Sequence, residues 1–476
     1  MTSAPIVTDP IYALSDALVD DLAALRPVNA TFMGVPGHDH EWDDLSPAGM
    51  DRYAAALRGW RARIATLPPA TDRWGALARV VSLDWLDLEL EAHDVRAHLS
   101  DLNSIASPFQ LMRSVFDTMD LASATGWADV ASRLETLPAA LERYRASLAE
   151  GRSRGDVVAR RQVLAAITEG RVHAGDGGFF ASLPTMFDAA GIGDAALRAR
   201  VVAAVPGARS GYAAASDWLE ATYLPEAREA DGVGRDKYQR EARRFLGTTI
   251  DLEATVAWGW QEVRTLQRRM SEAADAIRPG ASVAQALELL KTDPARTAPD
   301  RATFLAVMRE RQERALRALD GVHFDVPDQI RRIEVREAPP GGPLGAYYVS
   351  PSEDFRRPGT VWYNLDGEGP FPLYDDVSTA YHEGFPGHHL QCGLQVSLTA
   401  SLCRLHRVGF GYSGYAEGWA LYTEQLMDEL GYYETPDYLL GMLANQMMRA
   451  CRVVFDIGAH CAFPIPDDAP LHPGQP

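Results

Sequence analysis

Three of the twelve histidines fall inside eight residues, in the stretch Tyr381-His382-Glu383-Gly384-Phe385-Pro386-Gly387-His388-His389-Leu390-Gln391. A His-Glu pair followed by another His suits a zinc hydrolase, because imidazoles ligate the metal while the carboxylate reaches the water it activates. In the HExxH pattern the second His stands at i+4, about 400° round the helix and so back over the first. Here that position is Pro386, and the candidates are His388 at i+6 and His389 at i+7. On a straight helix His389 returns to within about 20° of His382 but lies roughly 10 Å further along the axis, too far to share one ion. The helix is therefore expected to be distorted. Pro386 cannot donate to the carbonyl of His382 and its ring pushes that carbonyl aside, while Gly387 permits a bend. A bulge of two residues would carry His388 to the place the second ligand needs, with His389 as the alternative ligand.

A zinc site with two histidines needs a third ligand and an open position for water, and a Glu from a following helix commonly supplies it. The segment Ala416-Glu417-Gly418-Trp419-Ala420-Leu421-Tyr422 offers Glu417 in that role. Glu424, seven residues on, shares its helix face and is the runner-up for that role, but reads better as a solvated or supporting carboxylate. Tyr412 and Tyr415 could donate to a tetrahedral oxyanion, although aromatic packing also accounts for them. Arg452, Asp456 and His460 line one face at i, i+4 and i+8. They form either a plain ion-pair stripe or a set in which Asp456 orients an imidazole and Arg452 receives a substrate carboxylate. His38, His40, Glu41, Asp43 and Asp44 look like a metal patch on paper but read better as a polar loop. His93 and His98 read as ordinary residues of an amphipathic helix.

Together these residues predict zinc held by His382, His388 and Glu417, with Glu383 as general base and a peptide as substrate. The same chemistry would serve a non-peptide amide or ester, and a metal-stabilised binding protein would need only the ligands. A di-iron helical centre is disfavoured, since no Glu-x-x-His occurs in the chain.

HEGFPGHHLQ followed by YAEGWALYTEQL resembles the bacterial family catalogued as domain of unknown function 885, whose signature is that of a zinc metallopeptidase. In outline it is similar to the thimet oligopeptidase and carboxypeptidase Taq families, where a Glu ligand follows the HExxH helix. Ala30-Thr31-Phe32-Met33-Gly34, Asp43-Asp44-Leu45-Ser46 and the stretch from Arg452 through Asp456 to His460 also read like that family, so the resemblance runs over most of the chain. It implies a mainly helical, zincin-like fold and zinc-dependent peptidase activity. The Gly-His of the oligopeptidase HEFGH pattern lines up with Gly387-His388, a second reason to prefer His388. Members of the family continue through a further helical segment, whereas this chain ends in five prolines between Pro464 and Pro476. A truncated or short C-terminus is therefore expected.

The elements that must position these residues are mostly helical. Tyr12, Leu14, Leu18, Leu22 and Leu25, and again Met50, Tyr53, Leu57, Trp60 and Ile64, recur at largely three- and four-residue steps. Leu252, Val256, Trp260, Val263, Leu266, Met270 and Ile277 mark one long amphipathic helix. Others are expected at 283–291 behind Ser282, at 301–319 behind Asp300, and from near Pro138 to Gly151. Past residue 325 the texture changes. Ile333-Glu334-Val335, Ala346-Tyr347-Tyr348-Val349 and Thr360-Val361-Trp362-Tyr363-Asn364 have strand composition, the last offered as an edge on which an extended peptide could pair. Helices resume at 375–390, at 415–430 after the loop Gly409-Phe410-Gly411-Tyr412-Ser413-Gly414, and at 438–460. A helical body over 1–324, and a small sheet with the metal-site helices over 325–476, are expected to form one structural unit, since no repeat or linker separates them.

At 476 residues, 46% hydrophobic and 23% charged, the chain is a globular protein large enough for two or three units or one large core. Its net charge of −19 repels phosphate backbones and anionic lipid, so neither nucleic acid nor a membrane surface is an expected partner. Cys392, Cys403, Cys451 and Cys461 form no CxxC pair, and the start MTSAPIVTDPIYALSDALVDDL has no signal-peptide pattern; both favour a cytoplasmic setting. Oligomeric state and peptide preference are not readable from these features.

Overall fold

The computed structural model describes residues 9–338, 345–409 and 411–469. The first eight residues of the N-terminal stretch, Phe410 of the glycine-rich loop and the proline-rich end from Pro470 lie outside that set. The protein is mainly α. Its N-terminal part consists of α1 (Pro10–Leu25), α2 (Pro27–Met33), α3 (Pro47–Ala65), α4 (Arg73–Asp94), α5 (Pro108–Ser114), α6 (Ala124–Arg154), α7 (Arg160–Ala174), α8 (Phe179–Ala190) and α9 (Ala195–Trp218). Then follow α10 (Arg235–Leu246), α11 (Leu252–Ile277), α12 (Val283–Thr292) and α13 (Arg301–Leu319), and after the strands α14 (Asp376–Glu383), α15 (His388–Ser397), α16 (Ser413–Glu429) and α17 (Pro436–Cys461).

Local chemistry explains most of these boundaries. The side chains of Asp9, Ser46, Asp72, Ser123, Asp194, Asp251, Ser282 and Asp300 accept from the orphan N–H groups of the helices they precede. The expected helices over 252–277, 283–291 and 301–319 correspond to α11, α12 and α13. The expected start near Pro138 is corrected: the helix begins after the Ser123 cap and Pro138 lies inside it. An interior proline costs about 3 kcal/mol. Trp127, Val130, Leu134 and Leu137 before it and Leu141, Tyr144 and Leu148 after it are all buried in one core, and their packing outweighs that cost.

The core has three main parts. α5–α9 enclose one around Trp127 and Tyr212, α1–α4 enclose a second, and α11–α17 with the strands enclose a third. Cys403 and Leu405 pack into the second, and the Leu405 amide donates to Ser15 Oγ at 2.8 Å, so the late residues are anchored in the N-terminal helices.

β1 (Thr297–Ala298) pairs antiparallel with β5 (Phe371–Pro372), while β2 (Glu334–Glu337), β3 (Ala346–Val349) and β4 (Thr360–Tyr363) form a sheet of order β2-β4-β3. β4 is parallel to β2 and antiparallel to β3, with Val361 opposite both Val335 and Tyr348. The expectation of an edge at 360–364 is therefore corrected: β4 is the middle strand, with Val361 and Tyr363 in the core, and its backbone is engaged on both sides. Among the described residues β3 pairs on one side only, and it packs against α14. Among the described residues no helix is long and apolar enough to cross a membrane.

Candidate metal centre

α14 ends on His382 and Glu383. The Gly384 amide still reaches the Ala380 carbonyl at 3.0 Å, and then the chain leaves the helix. Gly387 donates to Tyr381 O at 2.9 Å and His389 to Gly384 O at 3.1 Å, after which α15 opens at His388. A Cβ on Gly387 would stand 1.9 Å from the His382 carbonyl oxygen, and one on Gly384 would stand 1.9 Å from Gln312 Oε1. Only glycine permits approaches this close. Phe385 is fully buried edge-on against Phe324, and Trp419 Nε1 donates to the Pro386 carbonyl at 3.0 Å, so the turn is held from both sides. The two-residue bulge expected from the spacing is thus corrected to a full break at 384–387 between two helices, because Pro386 and the crowded glycines leave no continuous ladder.

The break brings one ligand atom each from His382, Glu383 and His388 to within 4.8 Å of one another. Glu417 comes in from α16 and spans the two imidazoles, with Oε2 3.3 Å from His382 Nε2 and Oε1 3.6 Å from His388 Nε2. Ligand atoms on a tetrahedral zinc with bonds of about 2.0–2.1 Å are about 3.4 Å apart, so the two carboxylate-to-imidazole spacings fit the ion. Glu383 is a second carboxylate beside the same imidazoles, leaving one carboxylate free to act on water if the other ligates.

Behind His382, Nδ1 is 2.8 Å from Oε1 of Glu424, which is fully buried and is held in turn by Arg449 of α17 at 3.0 and 3.3 Å. That chain points His382 Nε2 at Glu417. Burial works against the charge on His382, yet hydrogen bonding to Glu417 and Glu424 holds its pKa up at about 9 in the metal-free protein. The same imidazoles keep the Glu417 carboxyl well below the usual carboxylate range. Burial raises Glu383, with the Glu417 charge adding to the effect and the imidazoles opposing it.

Several expected site residues lie elsewhere. His389 is corrected as an alternative ligand: it is fully buried, with Nε2 2.7 Å from Ile330 O and Nδ1 3.1 Å from the Tyr348 hydroxyl, so both ring nitrogens are engaged. Burial lowers its pKa to about 4 and keeps the ring neutral. Tyr412 donates to Asp84 and packs on Gly247, which turns it toward α4 and α10, and Tyr415 is 60% exposed. Asp456 accepts from Tyr238 at 2.6 Å, His460 Nδ1 accepts from the Val233 amide at 3.2 Å, and Arg452 is exposed. That stripe ties α17 to α10. Glu424 is not solvated, since it stands buried behind His382. Asp43 pairs with Arg26 and Asp44 caps the approach to α3, so the loop residues near His38 are structural. His93 and His98 stack with centroids 5.2 Å apart and line a cavity of about 660 Å³ that includes none of the cluster residues.

Two residues went unread. Arg449 lies three positions before Arg452, and nothing short of the docking of α17 on α14 says which of the two faces the site. The sequence marks Tyr348 as a strand residue and no more. It bonds His389 and stacks near-parallel to His388, with centroids 6.4 Å apart.

Residues 27–469 match the family described as bacterial protein of unknown function (DUF885). The chain belongs to that family. Solved structures share its fold, among them the following two. One is the "putative lipoprotein" from Colwellia psychrerythraea, 22% identical with a TM-score of 0.82, the match covering 95% of this chain and 83% of that one. The other is a "putative lipoprotein of unknown function" from Shewanella oneidensis, 18% identical with a TM-score of 0.66, covering 95% and 84%. At these identities the likeness is one of fold. No curated protein matches the chain.

Proposed function

We propose that the protein is a zinc-dependent hydrolase of peptide bonds, with zinc held by His382, His388 and Glu417 and Glu383 acting as general base. The observation that carries this reading is the Glu417 carboxylate, set across two imidazole Nε2 atoms at 3.3 and 3.6 Å while Glu383 stands beside them. When bound, zinc supplies Lewis acidity and makes a water acidic enough to ionise near neutral pH. Glu383, its carboxyl raised by burial, takes a proton there and returns it to the leaving amine. Glu424 and Arg449 fix the tautomer of His382, with hydrogen on Nδ1 and Nε2 bare. Among the described residues β3 pairs on one side only, and it is proposed as the strand that offers backbone groups to an extended peptide.

The test is metal analysis of the purified protein followed by mass-spectrometric readout of a mixed peptide library. We expect about one zinc per chain, its loss in His388→Ala and its retention in His389→Ala. Glu383→Gln should keep the metal and lose cleavage by about 100-fold or more. A zinc-free protein after metal reconstitution, or Glu383→Gln at the wild-type rate, overturns the reading.

A further inference from the structure

α10 lends one charged stripe to the cavity of about 660 Å³. Lys237, Glu241 and Arg244, at i, i+4 and i+7, all line it, and no residue of this helix is buried. The carboxylates that face the same space come from other elements: Glu89 of α4, Asp101 between α4 and α5, and Asp156 between α6 and α7. At the Arg244 end the two sets meet. Arg244 donates to Glu89 at 2.9 Å, and its neighbour Arg243 bonds Asp84. Lys237 lies about 10 Å back along the helix axis, and there the charges stay apart. Among the described residues neither Lys237 nor Asp101 has an ion pair or a side-chain hydrogen bond, although both line the one cavity.

Asp101 is held firmly while its side chain stays open. Its carbonyl accepts from the Tyr144 hydroxyl at 2.6 Å, and Tyr144 and the adjacent Leu102 both belong to the core around Trp127. The residue itself is exposed, so the cavity gives access to it. The protein that walls it raises its carboxyl to about 6, against the pull of Arg244 and Arg26 and with Lys237 in electrostatic reach. A carboxylate and an ammonium that share a cavity without pairing are both compensated by a ligand that carries the opposite charge at each end. A ligand of one sign leaves one of them unanswered. The volume falls in the range of about 300–1,000 Å³ typical of small-molecule sites.

We propose that this cavity binds a small zwitterion of the amino-acid or short-peptide class, with Lys237 receiving its carboxylate and Asp101 its ammonium. None of His382, Glu383, His388 and Glu417 lines the cavity, so the site is distinct from the candidate metal centre and does not rest on the proposed hydrolase.

Binding is measured calorimetrically on the full chain with a chelator present, so that metal-dependent turnover cannot interfere. The probes are alanine, dialanine, trialanine and tetra-alanine, each also in its N-acetyl and its C-terminal amide form. The length that binds tightest reads the span between the two charges. At that length each cap should weaken binding about tenfold. Lys237→Met should erase the effect of the amide cap alone, and Asp101→Asn the effect of the acetyl cap alone. Asp236→Asn, next to Lys237 but outside the lining, should alter neither. Neither Lys237 nor Asp101 has a side-chain partner to lose, so both variants should melt as wild type by circular dichroism, and either one serves if the other does not fold. No binding by any probe at about 10 mM, affinity indifferent to both caps, or a cap effect that survives its variant overturns the site. Sensitivity to one cap only would show a ligand of single charge and overturn the zwitterion.

Discussion

Replacing Glu424 by Gln should weaken zinc binding by about 10–100-fold, or about 1.4–2.7 kcal/mol, without dismantling the fold. The magnitude comes from what this carboxylate does. It is fully buried, so no water can take its place, and its contact to His382 Nδ1 is 2.8 Å. An ionised acceptor in such a bond is worth about 1–2 kcal/mol more than a neutral one. A glutamine adds a further penalty, because its amide can turn and donate to a bare Nδ1. The ring hydrogen then sits on Nε2, where the metal must bind. Removing one partner of a buried ion pair commonly costs about 3–5 kcal/mol of stability, but the Arg449 side chain retains 28% exposure and can be hydrated once freed. The melting temperature of the metal-free variant should therefore fall only modestly.

Zinc affinity is read by competition with a chromogenic chelator, alongside thermal melts followed by circular dichroism, with Glu429→Gln on the exposed side of α16 as control. A zinc dissociation constant within threefold of wild type in a folded Glu424→Gln protein would refute the argument that Glu424 orients the ligand.

Gly387→Ala should abolish zinc binding, because its Cβ would stand 1.9 Å from the His382 carbonyl oxygen; Gly418→Ala, next to Glu417 with nothing within 4 Å of the added carbon, should bind as wild type. Equal zinc content in the two variants would show that the turn does not depend on that close approach. The pH dependence follows from His382, whose pKa is held at about 9 without metal. At pH 7 that ring is protonated, so zinc loading should release about one proton, and affinity should rise with pH until about 9 and then level off. Calorimetry in buffers of different ionisation heat counts the protons, and a zinc affinity flat between pH 6 and 8 would contradict the assignment.

Much of the architecture was legible because it is set locally. A Ser282 or Asp300 cap followed by three- and four-residue apolar steps specifies a helix with little outside help, and both helices lie where the pattern puts them. Pro138 shows the limit of that reasoning, since the partners that hold α6 together across it come largely from α9. The same divide runs through the site. That Pro386 and Gly387 must displace a histidine could be read from the spacing alone. Where the displaced backbone goes could not, because Phe324 packs on Phe385 from one side and Trp419 holds the Pro386 carbonyl from the other.

β4 repeats the lesson in a sheet. The composition of Thr360, Val361, Trp362 and Tyr363 identifies a strand, but its central place depends on the parallel partner β2, reached only through a crossover that no local pattern specifies. Arg449 and Tyr348 went unread for this reason too. Each acts through a second residue, Glu424 and His389 respectively, and a contact between two side chains distant in the chain leaves no spacing to find. His382, Glu383 and His388 were visible because the chemistry proposed for them draws on neighbours in sequence. The groups that aim and support them arrive by tertiary packing.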